Sequence, residues 1–81
     1  MEQRIKQDSN IRIGENIRAI RKSLNMGQTE LVGQLQVMGV SMTRETLVKI
    51  ERGVQHIQAS QLQGIRDALQ TTYDKLLNSQ P

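Results

Sequence analysis

Residues 42–53 carry Arg44, Glu45, Lys49 and Arg52 interleaved with Leu47, Val48, Ile50 and Glu51, and close on Gly53. At about 3.6 residues per turn this spacing predicts a short helix with two faces of different chemistry. Leu47 and Ile50, with Val54 beyond them, fall on one side, while Arg44, Glu45, Val48, Lys49 and Arg52 fall on the other. Thr43 stands where an N-cap belongs, Met42 and Leu47 have the spacing of a hydrophobic staple, and Gly53 supplies a stop. Cations on such a face could bond phosphates and guanine edges, a carboxylate could accept from cytosine N4, and a valine could meet a thymine methyl. That is the chemistry of a helix laid in the major groove of DNA. Taken alone, the same segment also reads as a solvated surface helix, and its neighbours must decide.

Those neighbours are helical. Ile13, Ile17, Ile20 and Leu24 recur at the spacing of one helix face, with Asn10 as a candidate cap and a turn at Asn25-Met26-Gly27. A second helix is predicted from Gln28, with Met26 and Leu31 at staple spacing, Leu31, Val32, Leu35 and Met38 inward, and Gly39 as its stop. Residues 54–59 read as a loop. A fourth helix follows, with Ser60 and Gln63 spaced as a capping box and Leu62, Ile65 and Leu69 as its apolar face. Gly64 within it costs on the order of 1 kcal/mol relative to alanine. Thr71-Thr72, Tyr73, Leu76 and Leu77 suggest a short fifth helix, with Asp74 favourably placed in its first turn. Residues 1–9 read as a polar, mobile arm carrying Arg4 and Lys6, residues 10–78 as one domain, and residues 79–81, with Asn78 before them, as a fraying end. With no strand pattern and no internal repeat, the predicted class is all-α, a bundle of five short helices.

Two charges stand where apolar residues belong. Arg21 lies between Ile20 and Leu24 in rotation, and Glu51 lies on the inward side of the third helix. A lone buried charge is very costly, so each needs a partner and each is the other's best candidate. An Arg21–Glu51 salt bridge with a structural role is therefore expected.

The bulk numbers fit one small domain. Eighty-one residues with 36% hydrophobic content and one aromatic, Tyr73, allow a modest aliphatic core, which dimerisation would support. The four methionines read as core filler. A net charge of +3 permits a nucleic-acid partner without requiring one. The absence of cysteine excludes disulfides and thiolate metal sites and fits a reducing cytoplasm. No apolar run approaches transmembrane length and no signal-peptide core is seen, so a cytoplasmic chain with no membrane partner is expected. His56 has no second histidine, cysteine or nucleophile arranged with it, so neither metal, cofactor nor enzymatic activity is expected.

Residues 13–77 resemble the Cro and phage-repressor type of helix-turn-helix domain, the XRE-like group. The resemblance is carried in order by Ile13-Gly14-Glu15-Asn16-Ile17-Arg18 with Arg21 behind it, by Gln28 with Glu30-Leu31, and by Leu47 with Ile50-Glu51-Arg52-Gly53. Ala68-Leu69 and Thr72-Tyr73-Asp74 with Leu76-Leu77 complete it. The family's signature arginine and glutamate fall on Arg21 and Glu51. Two features depart from the pattern: the stretch from Leu35 to Thr43 is longer than usual, as in a subgroup with a lengthened second helix or turn, and Val32 stands where alanine is usual.

The resemblance implies a lambda-repressor-like bundle and a DNA-binding set. It places Gln28, with Thr29 beside it, at the start of the second helix, to meet a phosphate or to brace the third helix. Thr43, Arg44, Glu45, Val48 and Lys49 belong to the recognition helix. Arg44 is placed to bond guanine O6 and N7, and Glu45 to accept from cytosine or simply to favour the helix start. Thr46 is placed to touch a phosphate or to sit against the second helix, and Arg52, Gln55 and His56 to follow the DNA backbone. The expected function is a sequence-specific transcriptional regulator, a repressor, binding a near-palindromic operator as a homodimer through its fourth and fifth helices. With no room for a ligand-sensing domain, control would come from a partner, concentration or proteolysis. Two alternatives stay open: an antitoxin that also binds a toxin protein, and a protein-interaction module without DNA binding.

Overall fold

The computed structural model describes residues 4–5 and 12–78. In chain order these form β1 (Arg4–Ile5), α1 (Ile13–Ser23), α2 (Gln28–Val37), α3 (Arg44–Glu51), β2 (Ile57–Gln58), α4 (Ala59–Ala68) and α5 (Tyr73–Leu77). The protein is an all-α bundle of five helices, as its periodicity predicts. No helix among the described residues is long and apolar enough to cross a membrane.

The predicted stripes converge on one core. Ile13 and Ile17 of α1, Leu31 and Leu35 of α2, Leu47 and Ile50 of α3, Leu62 and Ile65 of α4, and Leu76 of α5 are all buried there. Met42 from the α2–α3 connection, Ile57 of β2 and Leu69 at the end of α4 complete it, and Ile20, Met26, Val32 and Val40 pack on its rim. α1 lies against α3 and α5, while α2 lies against α3 and α4. In the connection between α2 and α3, residues 38–43, two side chains pack inward: Met42 is buried, and Val40 seats against Gly64. A Cβ on Gly64 would stand 2.8 Å from Val40 Cγ2 and 3.1 Å from Leu35 Cδ2. The helix-propensity cost of this glycine is thus offset by the close approach of α4 to α2.

Helix ends account for most of the departures from expectation. After each of α1 to α4 one residue takes a left-handed conformation: Asn25, Gly39, Gly53 and Gln70. The backbone N–H groups that follow bond back into the last turn, as in Met26 N–H to Arg21 O, Val40 to Leu35, Val54 to Lys49 and Thr71 to Arg66. The chain therefore leaves the helical projection at these points. Leu24 and Met38, the C-cap residues of α1 and α2, are exposed rather than inward. Val54, the residue after Gly53, is 65% exposed, so it does not extend the inward stripe of Leu47 and Ile50.

Other boundaries shift as well. α1 starts at Ile13 with Arg12 in the N-cap position, and the proposed cap Asn10 lies outside the described residues. β1 pairs antiparallel with β2, Arg4 opposite Gln58 and Ile5 opposite Ile57, so residues 54–59 are not all loop and Arg4–Ile5 are not part of an unpaired arm. Two-residue strands are too short to show alternation in a sequence. Because β2 runs directly into α4, the capping box sits at Gln58 and Gln61, not at Ser60 and Gln63. The Gln61 carboxamide oxygen accepts from the Gln58 N–H at 2.9 Å. Asn78 does not fray: Asn16 Nδ2 donates to Leu76 O at 2.8 Å and to Asn78 O at 3.3 Å, and Asn78 Nδ2 donates to Asp74 Oδ1 at 2.6 Å. Residues 79–81 lie outside the described part.

Gly33 offers a clean contrast with the packed glycines. It is exposed in the middle of α2, and nothing lies within 4 Å of where its Cβ would be. Gly33→Ala is expected to stabilise the protein by about 0.4–1 kcal/mol by narrowing the unfolded ensemble at no steric cost. A urea melt with unchanged slope and a raised midpoint would show it, and a lowered midpoint would contradict it.

Candidate nucleic-acid interface

α3 is built to present one face. Thr43, extended at φ −84° and ψ 160°, caps it: its Oγ1 accepts from the Thr46 N–H at 3.1 Å. The same hydroxyl lies 3.0 Å from Thr46 Oγ1, so half-buried Thr46 is engaged in the cap. Leu47, Ile50 and Glu51 point inward and are buried. Arg44, Glu45, Lys49 and Arg52 are exposed, Val48 is half-buried between them, and these five residues line one shallow concavity. None of the four charged side chains forms an ion pair or hydrogen bond among the described residues.

The inner side of α3 is clamped by charge. Arg21 Nε donates to Glu51 Oε2 at 2.8 Å and Nη2 to Oε1 at 2.9 Å, a two-pronged pair with side chains 9% and 2% exposed. Arg21 Nη1 also donates to the Met26 carbonyl at 2.8 Å. Gln28 Nε2 donates to Glu51 Oε1 at 3.0 Å. Of the two roles open to Gln28, the side chain performs the bracing one, and Glu51 ties together α1, the start of α2 and α3. Among the described residues no buried side-chain nitrogen or oxygen lacks a partner. The backbones also meet, since Gly14 of α1 lies directly against the Ile50 and Glu51 carbonyls.

The remaining expected positions flank this helix. Thr29 is exposed in the first turn of α2. Beyond Arg52 the chain turns at Gly53, φ +77°, and enters a polar concavity lined by Val54, Gln55, His56, Gln58 and Gln61. Gln55 is half-buried and His56 exposed. Gln58 and Gln61 join this surface although sequence reasoning left them out. The signal was their i, i+3 spacing, which is that of the capping box.

This arrangement supplies three cations and one carboxylate, none paired among the described residues, with a small apolar contact, on a helix whose inner face is tied to α1 and α2. Among the described residues no group of three or more His, Cys, Asp or Glu is placed to hold a metal ion. Comparison of the chain with family models, curated proteins and solved structures finds no match.

Proposed function

We propose that this protein is a sequence-specific DNA-binding transcriptional regulator of the Cro and phage-repressor type, acting in the cytoplasm as a repressor. α2 and α3 serve as its helix-turn-helix pair, with α3 entering the major groove. The observation that carries the reading is the outer face of α3. Arg44, Lys49 and Arg52 stand around Val48 with no ion-pair partner among the described residues, while the inner face is locked to α1 and α2 through Glu51. A helix meant only for solvent gains nothing from so rigid a seat; a helix that reads bases needs its side chains held in register.

One short helix reads only a few base pairs, so a second copy is part of the proposal. The surface assigned to it is the apolar concavity between α4 and α5, lined by Ala59, Leu62, Tyr73 and Leu77. Arg66 stacks over Tyr73 at 4.5 Å from the ring centre, and Asp67 accepts from Arg66 Nε at 2.9 Å. This hydrogen bond holds the guanidinium above its already high ordinary pKa.

Selection of bound sequences from a random duplex pool, followed by salt titrations, tests the function. Lys49→Ala and Arg52→Ala are expected to weaken binding to selected and random DNA alike, each lowering the salt slope by about 1. Arg44→Ala should instead relax the preference at one position of each half-site. Its cost on the selected site should be about 1–3 kcal/mol, with much less on random DNA. Unchanged affinity and salt dependence in all three variants would refute the reading.

A further inference from the structure

An acid on a cationic surface proposed to meet DNA is electrostatically out of place. Glu45 is exposed on the outer face of α3, with Arg44 beside it, Lys49 one turn further and Arg52 two turns further. Glu to Lys at i, i+4 is the favourable orientation for a helical ion pair, yet Glu45 makes no ion pair or hydrogen bond among the described residues. Its carboxylate is therefore available to whatever meets the surface. Phosphates repel it. Of the base edges in the major groove, only those with an amino group, cytosine N4 and adenine N6, can donate to it.

We infer that Glu45 is a specificity-determining residue, an unpaired carboxylate among three unpaired cations that penalises phosphate contact and rewards one amino-bearing base edge, cytosine foremost. The inference rests on the DNA-binding reading above and adds a sign to it. Glu45 lowers affinity for DNA in general and thereby raises the ratio of specific to non-specific binding. The competing role for a first-turn acid is to stabilise the helix start. Loss of that role would weaken binding to every DNA, the opposite of what the inference requires.

The test uses the full 81-residue chain. The parent, Glu45→Gln and Glu45→Ala are titrated on a random duplex and on a duplex selected by the parent, between about 50 and 200 mM salt. Circular dichroism confirms that each variant is folded. Glu45→Gln is expected to bind the random duplex about three- to tenfold more tightly, with a salt slope steeper by up to about 1. The selected-to-random ratio should fall, and sequences selected by the variant should lose one base preference in each half-site. If the parent binds in a salt-dependent way and Lys49→Ala weakens it, but neither Glu45 variant tightens binding to the random duplex, the inference is overturned and the functional reading stands. If the parent shows no salt-dependent binding, both are overturned.

Discussion

Replacing Glu51 by alanine is expected to destabilise the protein by about 3–5 kcal/mol, because it leaves the Arg21 guanidinium buried without its counter-charge. Arg21 would keep only its bond to the Met26 carbonyl, and Gln28 would lose its acceptor. A domain of this size has little stability to spare, since total folding free energies run to about 5–15 kcal/mol. Arg21→Met strands the charge on the other side, leaving the Glu51 carboxylate, 2% exposed, with the Gln28 amide as its donor, and should cost a similar amount. The double variant should then lose much less than the sum of the two singles, since it buries no unpaired ion. Urea melts of the three variants measure that coupling. Strictly additive losses would mean that the two side chains do not interact.

Gly14→Ala should also destabilise the protein, for a steric reason. A Cβ at this position would run into the Ile50 carbonyl oxygen and would lie 2.9 Å from the Glu51 carbonyl oxygen. These are backbone atoms of α3 and cannot swing aside as a side chain can. α1 and α3 would have to separate, and the Arg21–Glu51 geometry spans that same interface. Alanine is intrinsically better in a helix by about 1 kcal/mol, so propensity alone predicts a gain. Overpacking of a close contact costs about 1–3 kcal/mol, which outweighs that gain where backbone must move, so the expected net result is a loss of up to about 2 kcal/mol. Thermal melts of Gly14→Ala beside Gly33→Ala make the comparison direct. The first should melt lower than the parent and the second higher. Equal gains at both positions would mean that the carbonyls of α3 do not sit against Gly14.

These effects divide according to whether their cause is local. The apolar spacing of Ile13 and Ile17, Leu31 and Leu35, Leu47 and Ile50, and Leu62 and Ile65 was legible because a helix repeats its faces within a few residues. The Thr43 cap, the Thr71-Thr72 start of the fifth helix and the Gly39 and Gly53 stops were legible because each acts on the adjacent turn. The Arg21–Glu51 pair crosses 30 positions, yet it could be inferred, since a charge on an apolar stripe demands a partner and only two such charges existed.

The candidate surface on α3 was legible for the same reason as the stripes. Which of its neighbours join it was not. Val54 was placed inward by extending helical periodicity past Gly53, where the chain had already turned, and Leu24 and Met38 by extending it to the C-cap residues, which stand at the exposed ends of α1 and α2. The pairing of Arg4–Ile5 with Ile57–Gln58, which brings distant segments together, leaves no mark in either two-residue segment. The three glycines at helix positions 14, 33 and 64 look alike in the sequence and differ only in what lies opposite: α3 carbonyls, solvent, and the Val40 and Leu35 side chains. Gln28 had two roles open to it, and its bond to Glu51 exists because the start of α2 lands beside the end of α3. The sequence by itself therefore determined the helices, their inward faces and the charged surface that α3 presents, all set by short-range periodicity and burial cost. Only the tertiary structure decided the close approaches at Gly14 and Gly64, the pairing of the two short strands and the Gln28–Glu51 bond, because these depend on distances between segments that no local pattern encodes.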